Sequence, residues 1–374
     1  MRVVRCLVRP FSLAAVAALL VACAASGTPA APPAAPTAPP PSGSGAAPPA
    51  ASPVAKVPPL SPPVTVRIGR LPTVSDAGMH LGTERGYFLE EGIDIQAIPF
   101  DSAAQMVAPL GAGQLEVGGG STSAGLYNAI ARDVPLKIVA DKGSMPPGAG
   151  WLALVVRRDL ADQIRDYADL RGRRIAINQF GTTNDIALEA ALKRGGLTLQ
   201  DVEVVQLPFA DMNPALANRS IDVAQHNEPF MATAIEQGLA VRFRGVDEYY
   251  PYMQFSVILY GPHFVRDQPE AARRWMVAYL RGVRDYNDAF LKGIGKEEVV
   301  RDLMKYVPLR DPTLFDKMIP VGLDPDGKVN VEGLRNDLRW FVEHGLVTQP
   351  PDLDRVVDTS FAEYAVSRLG PYPR

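Results

Sequence analysis

The sequence predicts an α/β protein built as two lobes that face one cleft, and three observations carry that prediction. The first is an internal repeat. Ile95–Ile130, IQAIPFDSAAQMVAPLGAGQLEVGGGSTSAGLYNAI, has the grammar of Val204–Gln237, VVQLPFADMNPALANRSIDVAQHNEPFMATAIEQ. In each copy an apolar run ends in Pro-Phe (Pro99-Phe100, Pro208-Phe209), a helical segment and a turn follow, and a short buried strand runs into a second helix. The second observation is the strand-to-helix corner. The strands Leu115–Gly118 and Ile221–Ala224 are followed at once by Gly120-Ser121-Thr122-Ser123 and by Asn227-Glu228-Pro229, residues that cap a helix or open its first turn. The third is the alternation of apolar strands with helices along the chain, which argues for parallel α/β sheets. Each copy aims a helix N-terminus out of the carboxyl end of a strand, where open α/β sheets bind ligands.

The chain has 374 residues and a formal net charge of −3, from 38 Lys and Arg against 41 Asp and Glu. That length allows about two domains, and the near-neutral balance argues against a nucleic-acid partner, which needs a basic patch. Met1–Ala22 carries Arg2, Arg5 and Arg9 before an apolar run too short to span a bilayer, the pattern of a secretory signal. Leu20-Val21-Ala22-Cys23 reads as a bacterial lipobox, so Cys23 is the expected lipidation site and the only cysteine of the mature chain. No disulfide within the mature chain and no cysteine-ligated metal are then expected. Ala24–Pro63 is nearly all Ala, Pro, Gly, Ser and Thr, with Lys56 its only charge. Such a stretch reads as a flexible tether reaching roughly 120 Å at about 3.1 Å per residue.

The folded body is expected from Val64. Val64–Leu71 alternates as a strand, and Ser75 or Asp76 caps a helix through His80 to Arg85 that Gly86 ends. Ile93–Ile98 is the next strand, followed by the first repeat copy, by Leu136–Ala140 and by the unbroken apolar strand Trp151–Arg157. Ile175–Asn178 leads through Gln179-Phe180-Gly181-Thr182-Thr183-Asn184 into a helix that stops at Gly195-Gly196, a third strand-to-helix corner. It precedes the second repeat as Thr73–Asp76 precedes the first, so each lobe gains two ligand-facing corners. Phe255–Tyr260 is a further strand, Gln268–Leu291 a long amphipathic helix and Leu334–Val342 a shorter one. The four histidines, His80, His226, His263 and His344, are scattered without metal-ligand spacing.

Several segments carry a family resemblance. GYFLEEGID at Gly86–Asp94, GQLEVG at Gly113–Gly118, VPLKIVA at Val134–Ala140, DLRGRRIA at Asp169–Ala176 and SIDVA at Ser220–Ala224 resemble, in order and spacing, the substrate-binding proteins of ABC importers for sulfonates, taurine, nitrate and thiamine-precursor pyrimidines. The resemblance covers about residues 64 to 290. It implies the periplasmic-binding-protein fold of the second type, two α/β lobes joined by two crossing strands and closing on a ligand. By that resemblance lobe one is 64–158 plus 254–374, and lobe two is 159–253. It further implies an extracytoplasmic capture protein that hands a small organic solute to a permease; with the lipobox at Cys23, the expectation is a membrane-anchored monomer that needs no cofactor.

The expected ligand-binding residues are Thr73, Ser75, Ser121, Thr122, Trp151, Gln179, Phe180, Thr182, Thr183, Asn227, Glu228 and Tyr252. The hydroxyl residues stand at helix starts, where they either donate to a ligand or only cap. Trp151, Phe180, Tyr252 and Phe230 are stacking walls or core. Glu228 either faces a donor-rich ring such as an aminopyrimidine, which favours a vitamin-like nitrogen heterocycle, or serves its helix dipole. A sulfonate, taurine, nitrate or aromatic acid is the alternative ligand. A pyrimidine-synthase-like enzyme and a sensor lobe are the alternative functions.

Overall fold

The computed structural model describes residues 57–373. The expected signal segment, Cys23 and the tether as far as residue 56 lie outside the described residues. Ten strands occur among the described residues: β1 Val64–Arg70, β2 Ile93–Pro99, β3 Val117–Ser121, β4 Lys137–Ser144, β5 Leu152–Arg157, β6 Arg174–Ile177, β7 Glu203–Gln206, β8 Val223–Asn227, β9 Ala240–Gly245 and β10 Gln254–Tyr260. They form two five-stranded sheets, ordered β2-β1-β3-β10-β4 and β7-β6-β8-β5-β9. The second order is the first with β6, β7, β8, β9 and β5 standing for β1, β2, β3, β4 and β10, so the sequence repeat is a repeat of topology.

Each sheet takes its antiparallel strand from across the molecule. β10 runs antiparallel between β3 and β4, and β5 antiparallel between β8 and β9, whereas β1 pairs with β2, and β6 with β7, in parallel. The sheets are therefore mixed and not wholly parallel as expected. The chain crosses between lobes twice, from β4 to β5 and from β9 to β10. β5 was expected in the first lobe, but it lies inside the second sheet because LALVVR is buried along both faces and needs a neighbour on each side.

The first sheet packs against the Pro269–Lys292 helix, whose apolar stripe buries Trp275, Tyr279, Leu280, Val283 and Tyr286. That helix lies close against the Ala77–Glu84 helix because Gly282 and Gly78 face one another, and a Cβ on Gly282 would collide with the Gly78 carbonyl. The chain is held to the body earlier than the expected Val64 boundary. Arg274 donates to the Pro58 carbonyl at 2.6 Å and the Leu60 N–H to the Glu91 carbonyl at 3.2 Å.

Candidate ligand cleft

The carboxyl ends of the parallel strands in both sheets meet at a cavity of about 20 Å³. The first lobe contributes Leu71, Thr73, Ser75, Ala103, Ser121, Phe255 and Ser256 to its wall, and the second contributes Trp151, Asn178, Asn184, Phe209 and Asn227. A larger hollow of about 780 Å³ lies elsewhere, beside Lys296 and Asp316 beyond the end of the long helix, away from the strand ends.

The lobes are joined around the cavity by direct bonds. The backbones at the two helix starts form an antiparallel bridge, Ser123 opposite Thr182. The Ala124 N–H donates to the Gly181 carbonyl at 2.9 Å and the Thr183 N–H to the Thr122 carbonyl at 3.1 Å. Thr183 Oγ1 donates to the Phe255 carbonyl at 3.2 Å, Ser102 Oγ to Gln179 Oε1 at 3.3 Å, and Asn178 Nδ2 to the Asp101 carbonyl at 3.4 Å. The first-turn N–H groups of Ala124 and Thr183 are thus taken up between lobes, and the donors that a helix start offers an anion are fewer by that much.

Of the residues expected from sequence, Thr73, Ser75, Ser121, Trp151 and Asn227 stand at the cavity wall. Thr73 Oγ1 and Ser75 Oγ lie 2.9 Å apart. Trp151 meets Phe255 edge to face, centroids 5.6 Å apart, and its Nε1 donates to the Ser144 carbonyl at 3.0 Å. The others lie off the wall. Thr122 gives its carbonyl to the bridge, and Thr182 caps the Thr183–Arg194 helix. Gln179 sits at the seam, and Phe180 is 47% exposed. Tyr252 is 61% exposed, with φ near +61° in the crossover to β10.

Glu228 also lies off the cavity wall, and its bond to its own helix start is the second of the two roles expected for it. Its carboxylate is buried in the seam and accepts from the Ala232 N–H at 3.0 Å and the Ile319 N–H at 3.2 Å, because the helix start and the C-terminal chain both bring backbone donors to it. Burial pushes it up to about 7, against the partial relief those two donors give. Asp76 likewise makes no cap hydrogen bond to its helix. It takes the Leu71 N–H at 2.8 Å and pairs with the fully buried Lys142. His226 clusters with Phe209 and Phe230, the three rings near parallel and 5.7–6.3 Å apart, with Nε2 on Asn213 Oδ1 at 2.8 Å, and burial lowers it to about 3, so it is neutral.

Sequence reasoning missed Leu71, Ala103, Asn178, Asn184, Phe209, Phe255 and Ser256 as wall residues. Asn178 and Asn184 bracket the Gln179–Thr183 corner, and that bracketing was the available signal. Two buried wall atoms, Asn184 Oδ1 and Asn227 Oδ1, have no hydrogen-bond partner. Among the described residues no group of three or more His, Cys, Asp or Glu side chains is arranged to hold a metal ion, and no helix is long and apolar enough to cross a membrane.

Known proteins share this architecture. A Brucella abortus (strain 2308) protein named only as a candidate binding protein is 27% identical over 212 residues, 56% of this chain and 62% of that one. The chain thus spans under two thirds of that relative's length. The nitrate-binding protein NrtA of Synechocystis PCC 6803 superposes with a TM-score of 0.67 at 14% identity, covering 82% of this chain and 89% of that one. The alkanesulfonate-binding protein SsuA of Xanthomonas axonopodis pv. citri gives 0.64 at 18%, covering 80% and 100%. The desulfurization enzyme DSZB gives 0.57 at 16%, covering 82% and 99%, so binding proteins and an enzyme share the fold, the two-lobe fold of periplasmic binding proteins. The family profile described as NMT1/THI5 like matches residues 74–288, more than half of the sequence, and the chain belongs to that family.

Proposed function

We propose that this protein captures a small nitrogen heterocycle outside the cytoplasm and delivers it to an ABC importer. The transport reading is supported by the two-lobe fold around a cleft at the strand ends and by the binding proteins among its structural neighbours. The ligand class rests on one observation above all, the orphaned amide oxygen of Asn184 in the cavity wall, whose carboxamide is oriented by its Nδ2 donating to Thr182. A buried acceptor without a partner is costly and calls for a donor. An amino-substituted ring supplies N–H groups, whereas nitrate and sulfonate supply only further acceptors. Calorimetry with 4-aminopyrimidine, methanesulfonate and nitrate tests this. The amine should bind, and Asn184→Leu should weaken it about five-fold, roughly 1 kcal/mol for one neutral hydrogen bond. Tight binding of either anion together with none of the amine would overturn the ligand class and leave the transport reading in place.

The same reading places the chain on a lipid at Cys23, with the Ala- and Pro-rich stretch as its leash. Cys23→Ser should release the protein from the membrane fraction without changing ligand affinity. Membrane retention of the variant equal to wild type, read by fractionation, would refute the anchor.

A further inference from the structure

The hydrogen-bonding polarity of each cleft wall is set from behind it. In the first lobe Lys142 is completely buried, pairs with Asp76, and donates from Nζ to Ser75 Oγ at 3.2 Å. Gly119 leaves the passage for its stem, since a Cβ there would stand 2.9 Å from Lys142 Cδ. An ammonium offers donors only, so one lone pair of Ser75 is spent on Lys142. Ser75 and Thr73 then share one hydrogen between them across 2.9 Å. The other hydroxyl hydrogen is left for the cleft, polarised by the buried cation at the head of the chain.

In the second lobe the order runs the other way. Thr182 Oγ1 gives its hydrogen to the Gln179 carbonyl at 2.8 Å, so it must accept from Asn184 Nδ2, also at 2.8 Å. That fixes the Asn184 carboxamide with its nitrogen toward Thr182 and its oxygen unpartnered.

We propose that Lys142 is a positioning residue that makes the first-lobe wall a donor, facing an acceptor wall on the second lobe, so that the cleft selects a ring with an acceptor on one edge and an N–H donor on the opposite edge. Ring N1 and the 4-amino group of a 4-aminopyrimidine have this relation. The inference rests on the heterocycle reading above and adds the ligand's orientation, ring nitrogen toward Thr73 and Ser75, amine toward Asn184.

The test compares 4-aminopyrimidine with aniline, which keeps ring and amine but lacks the ring acceptor, by calorimetry on the purified chain at mildly alkaline pH, where both are neutral. Wild type should prefer 4-aminopyrimidine by roughly 3- to 10-fold, the range of one neutral hydrogen bond. Thr73→Val, Ser75→Ala and the double variant Asp76→Asn/Lys142→Met should each bring that ratio toward one. The double variant avoids stranding a buried carboxylate, and the two hydroxyl variants leave the ion pair whole should it fail to fold. A merely structural role for Lys142 would weaken both probes together and keep the ratio. An unchanged ratio in the hydroxyl variants, or equal affinities in wild type, overturns the polarity inference alone. Binding of neither probe by wild type removes the heterocycle reading, and this inference with it.

Discussion

Glu228 joins the lobes through a titratable group. One carboxylate oxygen accepts from Ala232 at the start of its own helix and the other from Ile319 in the C-terminal chain beside the first sheet. The charged group acting on it is Arg242, which favours the ionised form, and the Tyr286 hydroxyl is close enough to feel it. Desolvation outweighs both bonds and lifts it to about 7 from the ordinary 4.5. A carboxyl raised in the folded state binds more protons folded than unfolded between those two values, so its contribution is fullest below about 4.5 and is lost as pH rises through about 7. The shift corresponds to at most about 3 kcal/mol. Glu228→Gln cannot ionise, and its amide must set an N–H against one of the two donors. Urea denaturation across that window should therefore find wild type losing stability relative to the variant as pH rises, by up to that amount. Parallel curves would mean that Glu228 does not titrate in the seam. Asp141 and Asp185, raised by burial to about 7 and about 6, shift both proteins alike and cancel in the comparison.

At the scale of elements, the two strand-to-helix corners do more than present caps. Ser123 caps the Ala124–Ala131 helix by accepting from the Leu126 N–H at 3.1 Å, and Thr182 caps its counterpart, while the first N–H of each helix crosses to the other lobe. Ala124 occupies the first helical position, where proline is well tolerated, and Ser123 before it is extended, as a residue preceding proline should be. Ala124→Pro therefore deletes the bond to Gly181 and keeps the helix. It should leave the circular dichroism spectrum unchanged and weaken apparent ligand affinity about two- to ten-fold, because a closed state less favoured by about 0.5–1.5 kcal/mol taxes binding by that factor. Undiminished affinity would separate the bridge from closure. These corners were legible in the sequence because capping and strand-ending are local, as the matching Ile95–Ile130 and Val204–Gln237 copies show. β9 was passed over although Val241-Arg242-Phe243-Arg244 alternates apolar and polar residues, because the run is short and follows the Gly238 turn closely. The exchange of β5 and β10 between lobes is a long-range pairing that no local pattern encodes. Likewise Asn178, Phe209 and Phe255 become cleft residues only because the lobes meet, and the polarity of Asn184 follows from Thr182 and Gln179 rather than from its own type.

For the whole molecule, the consequence is mechanical. A cavity of about 20 Å³ holds little more than a water molecule, so any organic ligand requires the lobes to part by rotation about the two crossovers, residues 145–151 between β4 and β5 and 246–253 between β9 and β10. The bonds that must yield are single contacts spread along the seam: the Ser123–Thr182 bridge, Thr183 to Phe255, Ser102 to Gln179, Asn178 to Asp101, Glu228 to Ile319, the Val74 N–H to the Glu228 carbonyl at 3.5 Å, Trp340 to Glu189, and Lys317 to Glu236 at 2.6 Å on the surface. Each sheet retains its own pairing and its own packed helices during such a motion, which makes it a hinge and not an unfolding. Seam bonds of this kind contribute about 1 kcal/mol each, and a ligand that contacts both walls shifts the balance between parted and closed lobes by the contacts it makes only when they are closed. Small-angle scattering of the body from residue 57 onward, titrated with 4-aminopyrimidine, should show a mixture broader than the closed form at zero ligand and a smaller radius of gyration at saturation. Ala124→Pro should start from a larger radius than wild type and need more ligand to reach the same endpoint. A radius that matches the closed form throughout the titration, with ligand bound by calorimetry, would rule out hinge closure as the route of capture.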